Sequence, residues 1–286
     1  TWNKTLQGWT AAVGMLASSL LFMGQFGLFT YVRPFLETVT NVHGSTISLF
    51  LLVLGATGLV LPGGLAVLPT AEDETIYLGD FWMLRQFDGA TGAVLADPLG
   101  IPGGSVAADG EDLVLTNYFV NVVAVWNPQT GEMSETYFDF AVPLNAIRFQ
   151  GDLIVVEAGT SSVVRADGAD PSQRETIATN LALPAGLATD GDNLWVSDWA
   201  TGSVWQIAAG GEILPEPKLI AEGLEQPEGM AVTPDGRLLV VETGTGRLLA
   251  IDLATGAVST VAEGLGFDTV APEGQPPTGI MSSVAV

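Results

Sequence analysis

The sequence contains no cysteine and only one histidine, His43. Without cysteine there are no disulfide scaffolds, thiolate metal sites, iron–sulfur clusters or cysteine nucleophiles. The lone histidine lies in the polar link between two apolar runs near the N-terminus, so serine–histidine–aspartate catalysis is excluded. Basic residues are also scarce, with 9 Lys+Arg against 32 Asp+Glu and a net charge of −23. A nucleic-acid partner is therefore excluded, because phosphate binding needs clustered cations.

The charge is divided unevenly along the chain. Residues 1–70 contain Lys4, Arg33 and Glu37, whereas residues 71–286 contain 7 basic and 31 acidic residues. Such an asymmetry indicates two segments of different origin or environment. We therefore predict a hydrophobic segment over residues 1–60 and an acidic domain over residues 61–286.

The first segment has the pattern of a hydrophobic helical hairpin. Between Lys4 and Arg33 lie 28 residues without a formal charge, enough to cross a bilayer core of roughly 30 Å as a helix. A second, shorter apolar run follows over residues 47–60. A signal peptide fits poorly, because the first run is long and there are two of them. We expect membrane contact through residues 9–60, and a membrane-anchored, extracytoplasmic or periplasmic location.

The run Phe29-Thr-Tyr-Val-Arg-Pro-Phe-Leu-Glu37, with the apolar residues that follow, resembles two consecutive helices of major facilitator superfamily transporters. Such a transporter has many more helices than these two. The resemblance therefore implies an anchor or a fusion remnant without transport activity of its own.

The remainder of the chain is a repeat. Five prolines that open similar segments are spaced 40, 41, 41 and 43 residues apart: Pro62, Pro102, Pro143, Pro184 and Pro227. Each is followed by short β-rich runs separated by turn residues, without any amphipathic helix of the length a βαβ unit needs. Four short strands per unit of about 41 residues are typical of β-propeller blades. We predict an all-β propeller of five complete blades, plus the first strand of a sixth at residues 279–286.

An incomplete sixth blade leaves three alternatives open. The five blades close on themselves, a partner fills the gap, or the chain is a fragment. Because exposed sheet edges are association sites, we expect the edge of the incomplete blade to support oligomer formation.

The second strand of every unit ends in a residue with a side-chain oxygen, and two further candidates lie near the starts of first strands. Such a ring of oxygens suits Ca²⁺, which prefers six to eight hard ligands. The alternative is that these side chains accept backbone hydrogen bonds in the adjoining loops. We predict Ca²⁺ ligands at Glu228, Asn145, Asp198, Asn117 and Asp80, and catalytic carboxylates at Asp198, Glu157 and Glu242.

The segments Gln226 to Glu242 and Leu183 to Asp198 resemble the propellers of the SMP-30/gluconolactonase, strictosidine-synthase-like and NHL-repeat group. The resemblance implies a metal-assisted hydrolase of lactones or esters, in which Ca²⁺ polarises the carbonyl and a carboxylate acts as base. It equally allows a non-catalytic NHL-type module that holds a small molecule or a protein at its central tunnel. A third interpretation is a hybrid of a transporter frame and a propeller.

Overall fold

A computed structural model describes residues 62–70, 74–80, 83–101, 103–170, 172–265 and 284–285. It has five antiparallel sheets in which each strand pairs with the next one along the chain. Blade 1 contains β1 (Pro62–Pro69), β2 (Glu74–Asp80) and β3 (Leu84–Asp88). Blade 2 contains β4 (Val106–Asp109), β5 (Asp112–Asn117), β6 (Val122–Trp126) and β7 (Met133–Tyr137).

The other three blades have the same order. Blade 3 contains β8 (Pro143–Phe149), β9 (Asp152–Glu157), β10 (Ser162–Ala166) and β11 (Arg174–Ala178). Blade 4 contains β12 (Pro184–Thr189), β13 (Leu194–Asp198), β14 (Ser203–Ala209) and β15 (Glu212–Ala221). Blade 5 contains β16 (Pro227–Val232), β17 (Arg237–Glu242), β18 (Arg247–Asp252) and β19 (Val258–Glu263).

The first strands of successive blades form the inner ring. β1 contacts β4, β4 contacts β8, β8 contacts β12, and β12 contacts β16. Radially repeated four-stranded sheets of this kind define a β-propeller. The predicted five-blade all-β propeller is therefore confirmed.

Two strands differ from the predicted pattern. The fourth strand of blade 1 is reduced to two bridges, Leu84 with Leu99 and Phe87 with Val94. Pro98 explains part of this, since proline has no N–H to donate to a ladder. In blade 2 the first strand begins at Val106 rather than near Pro102, although blade 1 has the same Pro-Gly-Gly sequence at the start of its first strand.

The hydrophobic core lies in layers between neighbouring blades. The largest layer joins blades 3 and 4 through side chains such as Ile154, Val163, Leu187 and Val196. Equivalent layers join blades 1 and 2, blades 2 and 3, and blades 4 and 5. Burial of alternate strand residues from both sheets therefore fixes how one blade sits on the next.

On the outer side of blade 5, Val284 is buried against Val241 and Leu248. It lies where a following blade would begin, although most of the predicted sixth-blade strand falls outside the described residues. The predicted helical hairpin over residues 1–60 also falls outside them. Within the described part of the chain, no helix has the length and hydropathy needed to cross a bilayer.

Candidate functional site

Asp198 ends β13 and has only 1% of its surface exposed. Its carboxylate accepts hydrogen bonds from the backbone N–H groups of Ala182 and Leu183, at 2.7 and 2.9 Å. It also accepts the N–H of Ala200 at 3.2 Å. These donors belong to the connection that enters blade 4 and to the loop after β13. Asp198 therefore joins two loops of one blade.

Glu157 and Glu242 repeat this arrangement in blades 3 and 5. Glu157 accepts the N–H of Ala141 at 2.9 Å, and Glu242 accepts the N–H of Glu225 at 2.8 Å. In both blades the donor lies in the connection that enters the blade, as in blade 4. The three predicted catalytic carboxylates thus have the same backbone partners at equivalent positions.

Glu242 has additional partners that fix its charge state. Thr245 donates its hydroxyl, and Arg247 donates from Nε at 2.6 Å. Burial by itself raises the pKa of Glu242, but the hydrogen bonds from Thr245, Glu225 and Arg247 outweigh it and hold the pKa below the usual range. A carboxylate with a lowered pKa is a weak general base at neutral pH.

The predicted amide and carboxylate ligands in blades 1 and 2 occupy the same strand ends. Asn117 ends β5, and its Oδ1 accepts the N–H of Phe119 at 3.1 Å. Asp80 ends β2, and its backbone pairs with Pro62 just as Asp198 pairs with Pro184. The repeat therefore places all five strand-end residues at equivalent positions, as expected.

Glu228 and Asn145 lie on first strands, in the inner ring. Glu228 is 2% exposed, and its Oε1 accepts a hydrogen bond from the hydroxyl of Thr243 at 3.0 Å. Asn145 is partly exposed on β8, which contacts β5, the strand that carries Asn117. In the described residues, no group of three or more histidine or acidic side chains is placed to hold a metal ion. Calcium binding by these residues stays a prediction.

A cavity of about 220 Å³ lies between blades 3 and 4, at the strand ends opposite to those that carry Glu157 and Asp198. None of the predicted site residues lines this cavity. Its lining is polar and mixed in charge: Phe149, Gln150, Asp152, Arg165, Glu175, Gly211, Glu212 and Ile213.

Sequence reasoning missed a buried hydroxyl that joins blades. The Oγ of Ser197 accepts the N–H of Gly186 at 2.8 Å and donates to the carbonyl of Glu228 at 2.7 Å. Gly186 comes so close to blade 5 that an added Cβ would lie 2.2 Å from the Glu228 carbonyl oxygen. Thr116 occupies the matching position in blade 2 and accepts the N–H of Ser105 at 2.8 Å. The sequence signal is a hydroxyl residue directly before the strand-end oxygen.

A second missed feature is a threonine three residues after the strand-end carboxylates of blades 3, 4 and 5. Thr160, Thr201 and Thr245 occupy this position in blades 3, 4 and 5. Thr160 donates to Glu157 at 2.7 Å, and Thr245 donates to Glu242. The recurring spacing was visible in the sequence and points to turn formation, since carboxylates and hydroxyls commonly close short loops.

No family model matches the sequence. Among curated proteins, 48 residues are 75% identical to the transcription regulatory protein OpdE of Pseudomonas aeruginosa. The match covers 17% of this chain and 12% of the length of OpdE. It does not support the transporter-like interpretation of residues 1–60.

Solved structures are similar over most of the propeller. A chain in the crystal structure of a nidogen/laminin complex has a TM-score of 0.59 at 19% identity, covering 70% of this chain and 79% of that one. A streptogramin B lyase has a TM-score of 0.54 at 14% identity, covering 72% and 70%. Virginiamycin B lyase from Staphylococcus aureus, in a form inactivated by replacing a histidine with alanine and crystallised with quinupristin, has a TM-score of 0.50 at 14% identity, covering 72% of each chain.

The propeller segment of the present chain has no histidine, since His43 is the only one in the sequence. At these identities the likeness concerns architecture rather than chemistry. The comparisons thus identify the fold of this chain as a β-propeller.

Proposed function

We propose that this propeller is a non-catalytic binding or assembly module. The observation that carries the proposal is the use of Glu157, Asp198 and Glu242 as acceptors for backbone N–H groups of their own blades. A carboxylate that holds two loops together cannot leave them to take a substrate proton without leaving buried donors unpaired. The recurrence of this role in three blades supports a structural purpose for the ring of oxygens.

A Ca²⁺-assisted lactone or ester hydrolase is the second candidate function. One observation favours it: the carboxyl of Glu228 is buried on the inner ring beside Thr243, at a position where the other blades lack an acidic residue. A buried inner carboxylate is the type of ligand that a cation at the tunnel would use. The other predicted ligands that such a site would use are Asp198 in the neighbouring blade 4 and Asn145 in blade 3.

Calcium titration by calorimetry, combined with turnover of a lactone and ester panel, separates the two functions. For the full chain we expect no saturable calcium heat and no turnover above that of a protein-free blank. The control variant is Asp192→Asn, whose exposed carboxylate lies in a turn of blade 4. Glu228→Gln should behave the same way. Calcium-dependent turnover that Glu228→Gln abolishes and Asp192→Asn retains would overturn the binding-module proposal.

A further inference from the structure

The cavity of about 220 Å³ between blades 3 and 4 lies where both blades depart from the repeat. In blades 2, 4 and 5 the glycine in the turn between the first two strands follows an aspartate: Asp109, Asp190 and Asp235. In blade 3 that position is Gln150. Its longer side chain crosses to blade 4, where Nε2 donates to the carbonyl of Gly191 at 2.5 Å. The amide of Gln150 therefore bridges the two blades beside the cavity.

The turn of blade 4 that lines the cavity is also unusual. Blades 2 and 5 close the turn between the third and fourth strands with Asn127 and Asp252, each of which accepts the N–H of a threonine three residues later. Blade 4 has only two residues there, Gly210 and Gly211, with φ of +61° and +83°. Glycine adopts these values without strain, and its lack of a side chain leaves the space at Gly211 open. The cavity thus depends on two local changes that the repeat does not require.

The charged groups that line the cavity are one guanidinium and three carboxylates. Arg165 donates from Nε to Asp152 at 2.6 Å, and the N–H of Gly168 donates to the other oxygen of that carboxylate at 2.9 Å. Arg165 thus turns to Asp152, although Glu175 is its direct neighbour across β10 and β11. The Arg165–Asp152 pair is neutral, so the lining keeps the negative charges of Glu175 and Glu212.

Glu175 belongs to blade 3 and Glu212 to blade 4, and both are exposed. Neither carboxylate has a hydrogen bond or an ion pair with any residue that the structure describes. The turn aspartates differ in this respect, since Asp190 accepts the N–H groups of Asp192 and Asn193. Two unpaired carboxylates at one cavity repel each other, and a cation between them relieves that repulsion.

An apolar wall completes the cavity. Phe149 is 4% exposed, and Ile213 is partly buried against the same core layer. A hydrocarbon chain placed on these side chains leaves water, which favours binding. The volume is below the roughly 300–1,000 Å³ of sites for drug-sized ligands, so a matching ligand is small.

The same features argue against other classes of ligand. A carboxylate or phosphate placed near Arg165 would also meet the three carboxylates of the lining. A metal ion lacks a binding cluster, because no three acidic side chains of the described ranges are placed to share one. An organic cation with a hydrocarbon chain matches both the unpaired carboxylates and the apolar wall.

We propose that the cavity binds a small aliphatic diamine, with one ammonium group on Glu175 and the other on Glu212. The inference deepens the binding-module function, on which it rests, by naming a ligand class and its site. The alkyl chain between the ammonium groups lies along Phe149 and Ile213. Because one carboxylate comes from each blade, the bound diamine also ties blade 3 to blade 4.

Calorimetric titration of the full chain with diaminobutane, at a low salt concentration of about 20 mM, tests the proposal. We expect one saturable site with a dissociation constant on the order of 1 mM, because so small a ligand has few atoms with which to gain binding free energy. Butylamine, which resembles a lysine side chain, should bind roughly 5-fold more weakly, since it pairs with one carboxylate only. Raising the salt to about 0.3 M should weaken both, because the carboxylates are exposed.

Three charge-matched variants separate the cavity from a general attraction to an acidic protein. Glu175→Gln and Glu212→Gln should each weaken the binding of diaminobutane by roughly 5-fold, to the level of butylamine. Glu216→Gln removes the same charge from an exposed position of β15 that does not line the cavity. It should leave the affinity within about two-fold of the wild type.

Amide NMR spectra of the isotope-labelled chain can locate the bound diamine. Gly211 lines the cavity, and Gly256 occupies the corresponding turn of blade 5. We expect the signal of Gly211 to shift as diaminobutane saturates the site, and the signal of Gly256 to stay in place.

Absence of saturable binding, or an equal loss of affinity in Glu216→Gln and the two cavity variants, would overturn the diamine site. Equal binding of butylamine and diaminobutane would overturn the assignment of a diamine, because a single ammonium group would then suffice. Each of these results would leave the binding-module proposal standing. Calcium-dependent turnover would instead overturn the binding module, so the two failures are distinguishable.

Discussion

Replacing Asp198 with asparagine should destabilise the propeller although the side chain keeps its size. The carboxylate is buried and accepts the N–H groups of Ala182 and Leu183 on its two oxygens. Asparagine offers one carbonyl oxygen and one NH₂ group, so one of the two N–H groups would face another donor.

The magnitude follows from these contacts. Hydrogen bonds to a charged group contribute about 1.5–3 kcal/mol each, and an unpaired buried N–H costs about 1–3 kcal/mol. Because these terms partly overlap, we expect Asp198→Asn to lower the free energy of unfolding by roughly 2–4 kcal/mol. A domain of ordinary stability, about 5–15 kcal/mol, would survive the change but with a clearly lower denaturation midpoint.

Urea denaturation followed by tryptophan fluorescence measures this loss, since Trp195 and Trp199 flank the site. Asp192→Asn provides the matched control, because it removes the same charge from an exposed position of blade 4 and should change the stability by less than about 0.5 kcal/mol. Equal midpoints for the two variants would refute the structural role of Asp198. Stabilisation of the wild type by Ca²⁺ that is lost in Asp198→Asn would indicate a metal ligand instead.

Three further predictions follow from the packing and the turns. Gly186→Ala should lower the free energy of unfolding by about 3 kcal/mol or more, since the added Cβ would meet the backbone of Glu228. Gly100→Ala, at a position with open space around it, should have little effect in the same urea assay. Asp252→Asn should shift the denaturation midpoint far less than Asp198→Asn, because Asn127 closes the matching turn of blade 2 with the same two N–H bonds; a loss as large as that of Asp198→Asn would contradict this. The free energy of unfolding at 0.5 M salt should fall as the pH drops below about 4, because carboxylates with a lowered folded-state pKa stabilise the fold only while ionised. Thermal melts between about pH 3 and 6 test this. A melting temperature that rises on acidification would contradict it. The aspartates whose pKa is lowered, mainly by hydrogen bonds from turn residues, are Asp88, Asp170, Asp190, Asp235 and Asp252.

The strands were predictable because their signals are local. The short β-rich runs that the repeat predicts include the sequences of β13, Leu194–Asp198, and β18, Arg247–Asp252. Short apolar runs between turn residues specify such strands without reference to distant parts of the chain. The fourth strand of blade 1 was predicted from the repeat but is only two bridges, and Pro98, which explains part of this difference, is itself a local signal.

The roles of the strand-end carboxylates were less predictable. Spacing places Glu157 at the end of β9, but its partner Ala141 lies 16 residues earlier. Whether that N–H points at the carboxylate depends on the path of the entering connection, which includes the positive φ of Val142. Sequence periodicity carries no information on such a path. The metal and hydrogen-bonding interpretations could therefore not be separated before the loops were placed.

The acidic composition has a structural explanation in the turns between strands. Asp88 and Asp252 each accept the N–H of a threonine three residues later, at 2.7 Å, and a glycine follows that threonine. Asn127 does the same with an uncharged amide, so the turn requires the oxygen and not the charge. Much of the net charge therefore comes from turn chemistry at one end of the blades, where it gives solubility and repulsion. Because turn formation explains that charge, the acidic composition is not by itself evidence for a bound cation or a basic partner.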